Sequence, residues 1–150
     1  IRTLNNQLLV DAKMQDREPA NIYLHIFSYG GFVDAAFAGV DAIKNSVVPI
    51  VTIVDGVSAS AGTMLSLAGS KRLINKNGRM LIHQLTCGFW GNYEQIIDDV
   101  KNAENLMKKM KTFYKENTKL SETKLNQIMQ RDLYWDSADC IKMGLADEVI

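Results

Sequence analysis

Apolar positions along the chain follow two different periods, and each period predicts a different kind of element. A spacing of three and four residues over 1–16 predicts an amphipathic helix, which Glu18-Pro19 ends. The β-branched and aromatic run NIYLHIFS (21–28) predicts a strand, and the helical spacing returns over 33–45. The next run, VVPIVTIV (47–54), is almost continuously apolar, as in a strand covered on both faces. The apolar residues that recur along the first helix are Ile1, Leu4, Leu8 and Ala12, and those expected to face inward on the second are Phe37, Val40 and Ile43.

The second half of the chain continues this alternation and contains one unusually long helix. Small residues over 60–69 predict a short buried helix, and RMLIH (79–83) predicts a short strand. From about 93 to 117 the helical period runs without a break, with polar residues on the opposite face. The apolar stripe of this helix consists of Ile96, Ile97, Val100, Ala103, Met107, Met110 and Tyr114.

Capping residues mark two more helices before the chain ends. Ser121 is a suitable N-cap, and either Asp136 or Ser137 can begin a last short helix. Gly144 stands where a helix C-terminus favours glycine, and the tail LADEVI predicts a short strand. Because strands and helices alternate, the sequence predicts a single α/β domain over 1–150 with mostly parallel strands.

Charge and composition argue against several classes of function. Lys plus Arg and Asp plus Glu each total 17, so no net field attracts nucleic acid or an anionic membrane. No apolar run reaches the roughly 18 residues of a membrane span, and no signal peptide is recognised. Cys87 and Cys140 lie outside metal-ligand spacing, which indicates reduced thiols in the cytoplasm or an organelle of comparable reducing character. Because the chain does not begin with Met, Ile1 is expected to start a processed chain or the ordered part of one.

The most informative stretch is VDGVSASAGTMLSLAGS (54–70), where two serines with small neighbours follow the most apolar strand. The carboxyl edge of a parallel sheet is where α/β proteins place their chemistry, and a strand-to-helix turn there exposes a hydroxyl beside helix N–H groups. Ser58 and Ser60 are therefore candidate nucleophiles, although Ser58 occupies the place of the first Gly of a G-x-S-x-G elbow. The alternative is that both serines cap a helix that needs small residues for tight packing.

A serine nucleophile needs a base, and the chain contains two histidines. His25 lies within a predicted strand, which favours a structural role. His83 ends another strand just before a Gly-rich loop, where an imidazole can be partly exposed. His83 is therefore the better candidate for the general base.

The base in turn needs a carboxylate that orients it. Asp132, in MQRDLYW, lies between the end of one predicted helix and the start of the next, among apolar residues. Spacing alone leaves Asp55, Asp136 and Asp139 as alternatives.

Two glycine-containing segments fit the same chemistry. Tyr29-Gly30-Gly31 follows a strand and opens a helix, so a backbone N–H there can point into the cleft, and glycine lets backbone approach a reacting group closely. The segment Gly88-Phe89-Trp90-Gly91, after His83, can pair edge to edge with an extended peptide. The alternative for this segment is a solvent-facing hairpin whose two aromatic residues pack locally.

Four motifs and one trailing segment, in the same order and over the whole chain, resemble those of the proteolytic subunit of the Clp protease family. The glycine turn S-P-G-G is matched by Ser28 to Gly31, and the nucleophile motif A-S-M-G-A by Ala59 to Thr63. The motif M-I-H-Q-P is matched by Met80 to Leu85, with one extra residue. The motif R-D-x-(Phe/Tyr)-x-(Ser)-A-x-x-A is matched by Arg131 to Cys140, and the trailing Y-G-L-V-D by Met143 to Asp147.

The resemblance implies a ClpP/crotonase-like fold, with mostly parallel strands, covering helices and a protruding helix-strand handle over 88–117. It implies a serine endopeptidase in which Ser60 is the nucleophile, His83 the general base and acid, and Asp132 the carboxylate that fixes the tautomer of the histidine. Backbone N–H groups of Gly31 and Ala61 would form the oxyanion hole. The residues expected to bind the substrate are Gly30, Gly88, Phe89 and Trp90.

The resemblance also implies partners. The substrate would be an unfolded polypeptide or a short peptide, and the subunit would form two stacked rings, heptameric by resemblance, that the handle joins. ATP would be used by a partner AAA+ ATPase, while this subunit would need no cofactor or metal. The N-terminal segment of the family, with its axial loops and part of the ATPase-docking surface, is absent from this sequence, which leaves the ATPase partnership open.

The chain departs from the family pattern at several positions. Tyr29 and Leu85 replace prolines. Ala61 replaces a Met, which enlarges the nearby pocket but keeps the backbone donor. A couple of residues are missing between Ser60 and His83. These differences suggest a phage, viral or paralogous branch of the family.

Three other functions remain open at this point. A crotonase-type acyl-CoA enzyme would stabilise a thioester oxyanion with a similar pair of amides, and would normally use acidic residues. A non-catalytic structural subunit of a mixed Clp ring would typically lack one residue of the triad. A membrane-associated enzyme with a Ser-Lys dyad, resembling a signal-peptide peptidase, would use Lys71.

Overall fold

Six helices and six strands alternate along the chain, and the computed structural model describes all residues from 1 to 150. In chain order the elements are α1 (Arg2–Met14), β1 (Ile22–Ser28), α2 (Val33–Lys44), β2 (Ile50–Ala59), α3 (Ala61–Leu67), β3 (Lys71–Ile74), β4 (Arg79–Leu81), α4 (Tyr93–Asn117), α5 (Glu122–Met129), β5 (Trp135–Asp136), α6 (Ser137–Met143) and β6 (Glu148–Val149). This order confirms the predicted α/β class.

The strand β2 is the centre of a six-stranded sheet. The first strand, β1, runs parallel to it from the Ile22–Ile50 pair to the Ser28–Ser58 pair. On the other edge, β3 pairs with the first half of β2 and β4 pairs with its last three residues, both in parallel. The sheet continues from β3 to β6 in parallel and from β4 to β5 in antiparallel. The sheet is therefore mostly parallel, as predicted, and the carboxyl ends of β1, β2 and β4 lie at the same edge.

The core lies between the inner face of this sheet and the helices that cover it. On α2 the predicted inward residues Phe37, Val40 and Ile43 are all buried. The Phe37 ring meets the Phe113 ring of α4 edge to face at 6.0 Å, which ties α2 to α4. Burying a side chain of this size contributes about 1.5–3 kcal/mol, so the helical stripe is enough to fix α2 on the sheet.

The helix α4 begins and ends where its apolar period predicts, but only its C-terminal part is buried. Asn92 and Gln95 form a capping box at its start. Met110 and Tyr114 are buried, whereas Ile96 and Val100 are 38% and 41% exposed, so the N-terminal half of the predicted stripe projects without a partner. No helix, this one included, combines the length and hydropathy that a bilayer span requires.

Two strands differ from the prediction. The central strand starts after Pro49 and continues to Ala59, whereas its apolar run predicted 47–54. Asp55 and Gly56 resemble a turn in sequence, but pairing with β1 and β4 keeps this part of the chain extended. The strand β3 (KRLI) carries two cationic residues and had no clear strand signal; its pairing with β2 and β6 makes it a strand.

The Arg72 side chain joins β3 to the C-terminal part of the chain. Its guanidinium donates to the carbonyl oxygens of Asn117 and Gly144, both at 2.8 Å, and to the Asp147 carboxylate. The Asp147 carboxylate also accepts the Arg72 backbone N–H at 2.8 Å. These bonds hold the pKa of Asp147 below its ordinary value, chiefly through the hydrogen bond from the Arg72 side chain.

Asp147→Asn is expected to lower the free energy of unfolding at pH 7 by roughly 0.5–1 kcal/mol, a figure reduced for the screening of a partly exposed carboxylate. A carboxyl whose pKa is lowered by folding stabilises the protein above its unfolded pKa of about 3.9, and this contribution is lost as the pH falls through the folded pKa. Urea unfolding at pH 7 and pH 3 should therefore show a difference between the two proteins at the higher pH and little at the lower. An equal difference at both values would contradict this role for the charge.

Candidate active site

Three strand ends bring the candidate residues to one edge of the sheet. The first strand ends at Ser28 and leads through Gly30 and Gly31 into α2. The central strand ends at Ala59 and leads through Ser60 directly into α3. The strand β4 ends two residues before His83. Because these strands run parallel to one another, their carboxyl ends are neighbours, which is where an α/β fold can assemble a site.

Ser60 occupies a strained turn between β2 and α3. Its φ is +55° and its ψ −124°, a conformation that costs a non-glycine residue about 1–3 kcal/mol and that often marks a functional position. Its backbone N–H donates to the Leu81 carbonyl at 2.9 Å, which ties the turn to β4. Its side chain stands at the N-cap of α3 but accepts no capping hydrogen bond. The capping alternative is therefore wrong for Ser60, whose hydroxyl is left partly exposed and free.

Ser58 is a much poorer candidate for the nucleophile than Ser60. Its side chain is fully buried, and its Oγ has no hydrogen-bond partner. A hydroxyl in that position meets no substrate. Burial thus separates two serines that local sequence leaves equivalent.

The register of β4 and β5 brings His83 and Asp132 together. These two strands are antiparallel, and Met80 pairs with Trp135. His83 follows Met80 by three residues and Asp132 precedes Trp135 by three, so continuing the same register places these two residues opposite each other. His83 Nδ1 lies 3.2 Å from Asp132 Oδ1. This contact leaves Nε2 as the ring nitrogen that can face a substrate or a nucleophile.

The exposure of Asp132 differs from the expectation, and the contacts within this trio are incomplete. Asp132 was expected among apolar residues, but its side chain is 82% exposed, because it lies in the irregular segment between α5 and β5. The side chain of His83 is 24% exposed. Its contact with Asp132 is an ion-pair distance without hydrogen-bond geometry, and no hydrogen bond joins Ser60 Oγ to the His83 ring. The structure thus brings together the candidate base and the candidate carboxylate, while no hydrogen bond joins them to the candidate serine.

The other histidine has its own carboxylate elsewhere. His25 on β1 lies 3.0 Å from Asp55 on β2, and Asp55 also accepts the Asn75 side-chain amide at 3.1 Å. The side chain of His25 is 58% exposed, so the residue is not a core histidine within a buried strand. Asp55 is therefore already the partner of a different imidazole.

The two remaining candidate carboxylates, Asp136 and Asp139, make their contacts within α6 and at its N-terminus. Asp136 caps α6 by accepting the Asp139 N–H at 2.8 Å, and Asp139 pairs with Lys142 at 3.3 Å. Neither contacts His83. Of the four carboxylates that sequence spacing leaves open, Asp132 is the one beside this histidine.

The glycine turn after β1 lies directly against Ser60. Gly30 has a φ of +111°, and a Cβ built on it would lie 2.7 Å from Ser60 Cβ and 3.2 Å from Ser60 Oγ. The Gly30 N–H donates to Ser28 Oγ at 3.2 Å, which fixes the start of the turn. The Gly31 N–H makes no hydrogen bond within the protein, and a Cβ on Gly31 would meet nothing within 4 Å. The turn therefore presents a free amide beside the serine.

A second amide is available at the start of α3. Ala61 is the first residue of this helix, where the geometry leaves N–H groups without intrahelical acceptors. Ala61 directly follows Ser60, and Gly31 directly follows Gly30, which packs against Ser60; these are the two amides that the oxyanion-hole prediction names. No measured distance to a substrate oxygen tests this assignment, which stays a prediction.

Two contacts to this turn were not anticipated from the sequence. Tyr114 on α4, fully buried, donates its hydroxyl to the Ser60 carbonyl at 3.3 Å, and burial raises its pKa, so it remains a donor. Thr63 on α3 places its hydroxyl between two strand ends. Tyr114 belongs to an apolar stripe that looked like simple packing. Thr63 stands where the resembling motif has alanine, and that difference was the available signal.

The segment after His83 is irregular and forms neither a strand nor a hairpin. Residues 86–90 make no backbone hydrogen bonds, and Trp90 is 99% exposed. Phe89 is only 36% exposed, because it lines a groove of about 490 Å³ between this segment and α4. Other lining residues are Leu85, Cys87, Val100, Ala103 and Met107. The predicted strand over 88–91 is therefore wrong as a paired element, although its backbone remains free to pair.

Cys87, Cys140 and Lys71 have no part in the candidate active site. Burial raises the pKa of the Cys140 thiol to about 12, so it stays neutral, and Cys87 is exposed; both are free. Lys71 pairs with Glu148 at 2.5 Å and lies in register with Val51, at the opposite end of β2 from Ser60. A Ser-Lys dyad with Ser60 is therefore excluded by position. No group of three or more His, Cys, Asp or Glu residues is placed to hold a metal ion.

Comparison with known proteins gives a consistent result. The family model described as Clp protease matches residues 2–150. The ATP-dependent Clp protease proteolytic subunit of Deinococcus radiodurans is 33% identical over 145 residues, which are 95% of this chain and 70% of that protein. The protein of the same name from Streptococcus mutans is 32% identical over 148 residues, covering 95% and 74%. The proteolytic subunit 2 of Treponema pallidum is 33% identical over 146 residues, covering 96% and 72%.

These matches span almost the whole chain, and the fold carries a serine, a histidine and a carboxylate at the edge where the resembling motifs place them. A resemblance confined to one glycine turn would not have this extent. The chain therefore belongs to the Clp protease family, whose members are serine peptidases.

Proposed function

We propose that this protein is a serine endopeptidase in which Ser60, His83 and Asp132 hydrolyse peptide bonds through an acyl-enzyme. The observation that carries the proposal is the meeting of three features at one sheet edge. Ser60 stands on a positive-φ turn, Gly30 packs against its side chain, and the His83–Asp132 pair follows from the strand bonded to the same turn. Crotonase-type chemistry has no use for a strained serine beside an imidazole–carboxylate pair.

The mechanism follows from the position of each group. Ser60 Oγ attacks the scissile carbonyl while His83 Nε2 takes its proton, and Asp132 holds Nδ1–H so that the ring has the right tautomer. The carbonyl oxygen, now negative, is stabilised by the Gly31 and Ala61 amides. His83 then donates the proton to the leaving amine, and a water molecule repeats the sequence on the acyl-enzyme. No step needs a cofactor.

The acylation step requires Ser60 Oγ and His83 Nε2 within hydrogen-bond distance. No such bond is present in this structure, so the catalytic state has to bring the two side chains together. Catalytic hydrogen bonds are often longer in free enzymes than in substrate complexes. An extended substrate that pairs with residues 86–90, immediately after His83, would restrain the segment that carries the imidazole.

The segment over residues 86–90 is the proposed substrate edge. Its N–H and C=O groups are unpaired over residues 86–90, which is what addition of a peptide strand needs. Gly30 and Gly88 leave room for the substrate backbone, and Phe89 and Trp90 offer apolar surface to its side chains. Recognition through backbone pairing suits unfolded polypeptides and short peptides, because it demands no particular sequence.

The projecting half of α4 supports assembly into stacked rings. Apolar side chains on it are exposed to solvent: Tyr93 by 74%, Ile96 by 38% and Val100 by 41%. A homo-oligomer of two rings, heptameric by family resemblance, would cover this surface. We further propose that the subunit works with an AAA+ ATPase, which would use the ATP, and that it acts in the cytoplasm or a comparably reducing organelle, consistent with two free thiols.

Labelling with a fluorophosphonate probe tests the proposed function, because the probe reacts with serines activated by a base. Peptide mapping is expected to find the label on Ser60 of the full-length protein. Ser60→Ala should take no label, and Ser58→Ala should be labelled like the unmodified protein. The same probe would not mark a crotonase-type enzyme or a non-catalytic ring subunit.

A label on Ser58 would overturn the choice of nucleophile. Absence of label from the assembled protein, with peptide substrate also uncleaved, would favour the structural-subunit alternative.

A further inference from the structure

A fully buried hydroxyl lies in the first helical turn after the candidate nucleophile. Thr63 is on α3, three residues after Ser60, and its side chain has no solvent exposure. Its Oγ1 lies 2.9 Å from the Ser58 carbonyl oxygen and 2.8 Å from the Leu81 carbonyl oxygen. A hydroxyl has one hydrogen, so it donates to either carbonyl or is shared between them. The resembling motif has alanine at this position, which can make neither contact.

The two carbonyls belong to the strand ends that carry the proposed nucleophile and base. Ser58 precedes Ser60 by two residues on β2, and Leu81 precedes His83 by two residues on β4. The Leu81 carbonyl also accepts the Ser60 N–H at 2.9 Å. One hydroxyl therefore connects the last residues of both strands at the point from which the two proposed catalytic side chains project.

This connection matters because β4 is short and the turn is strained. Only Arg79, Met80 and Leu81 pair with β2, so few hydrogen bonds fix the relative position of the two ends. Ser60 holds a positive φ that persists only where the surroundings impose it. A buried hydroxyl that lies within hydrogen-bond distance of both strand ends, and donates to one or is shared between them, supplies such a restraint.

We propose that Thr63 is a positioning residue, which holds the Ser60 turn against the β4 end and thereby sets the distance between Ser60 and His83. This inference rests on the proposed function. Thr63 touches no substrate and takes part in no proton transfer. Its effect is on how often the serine and the imidazole are placed for reaction, which changes kcat and leaves substrate binding unchanged.

The test compares Thr63→Ser, which keeps the hydroxyl, with Thr63→Ala, which removes it. Peptide hydrolysis by Thr63→Ser is expected to keep kcat within about twofold of the unmodified protein, while Thr63→Ala loses about tenfold in kcat with KM unchanged. The rate of Ser60 labelling by fluorophosphonate should fall by a similar factor. Thr63→Val, which keeps the volume, serves if Thr63→Ala does not fold.

Thr52→Ala is the matched control. Thr52 is also fully buried and also donates its hydroxyl to a backbone carbonyl, that of Ser66 at 2.6 Å. It lies near the start of β2, away from the strand ends. The control is expected to lower thermal stability as Thr63→Ala does and to leave kcat unchanged. An equal loss of kcat in both variants would reduce the role of Thr63 to stability and overturn the inference.

Hydrogen exchange of the Ser60 amide gives a readout that does not depend on activity. This amide is bonded to the Leu81 carbonyl, so loosening of the two strand ends should expose it. Exchange is expected to be about tenfold faster in Thr63→Ala than in Thr63→Ser, and unaffected in Thr52→Ala.

These measurements distinguish the positioning role of Thr63 from the proposed serine-peptidase function. Equal exchange in the two Thr63 variants would overturn the positioning role even if Ser60 is the nucleophile. Faster exchange in a protein whose Ser60 is never labelled would instead count against the proposed function. If neither Thr63→Ala nor Thr63→Val folds while Thr52→Ala does, Thr63 is structural and the inference is wrong.

Discussion

Asp132→Asn is expected to lower kcat for peptide hydrolysis by three to four orders of magnitude while the protein folds normally. Exchanging the carboxylate of a serine-protease triad for an amide has cost about 10⁴ elsewhere, because the histidine then adopts the wrong tautomer. Asp132 is 82% exposed, so solvent can partly replace its role, and we place the effect at roughly 10³–10⁴. The same exposure means that stability should change by no more than about 0.5 kcal/mol.

The chain offers a matched control for this substitution. Asp55 forms the other imidazole–carboxylate pair, 3.0 Å from His25, and is also partly exposed. Asp55→Asn makes the same chemical change to the same kind of pair, away from Ser60, and should leave kcat within about twofold. Steady-state hydrolysis of a fluorogenic peptide measures both variants. An Asp132→Asn enzyme that keeps half of the original rate would remove Asp132 from the proposed triad.

Local sequence was sufficient to predict the elements whose own residues repeat with a helical period or carry a terminal signal. The bounds of α4 followed from an unbroken helical spacing, and the C-terminus of α6 followed from Gly144, which has a φ of +71°. The strand β3 and the last five residues of β2 had no such signal. Their extended form depends on neighbouring strands that are distant in sequence, so only the assembled sheet reveals them.

The candidate site likewise combines features that local sequence predicts with features that depend on the fold. A strand leading into a run of small residues indicated a reactive turn, but the choice between Ser58 and Ser60 depends on burial, which spacing does not determine. The choice of Asp132 over three other carboxylates depends on the antiparallel register of β4 and β5. The family resemblance supplies both choices without the fold, because its motifs carry tertiary information that local sequence patterns lack. Neither argument predicted that Asp132 would be largely exposed to solvent, or that no hydrogen bond would join Ser60 to His83.

Gly30→Ala is expected to lower kcat by about 10²–10³, the cost of losing one donor of an oxyanion hole. The φ of Gly30 is +111°, which strains any residue with a side chain. The new methyl group would also lie 2.7 Å from Ser60 Cβ, closer than atoms of this kind approach each other. Either the Gly31 amide moves away from the serine or the serine side chain turns from its position. Each response separates the proposed nucleophile from a proposed oxyanion donor.

Gly144→Ala is the control for Gly30→Ala, because it introduces similar backbone strain away from the candidate active site. Gly144 also has a positive φ, and a Cβ on it would lie 2.8 Å from the Lys119 side chain, but it ends α6 far from Ser60 in the fold. We expect this variant to lose about 1 kcal/mol of stability and to keep its kcat. If both glycine variants lose stability and neither loses kcat, then close packing of the Gly30 turn against Ser60 has no catalytic purpose. The Gly31 amide would then have to be withdrawn from the oxyanion hole, because its placement depends on that turn.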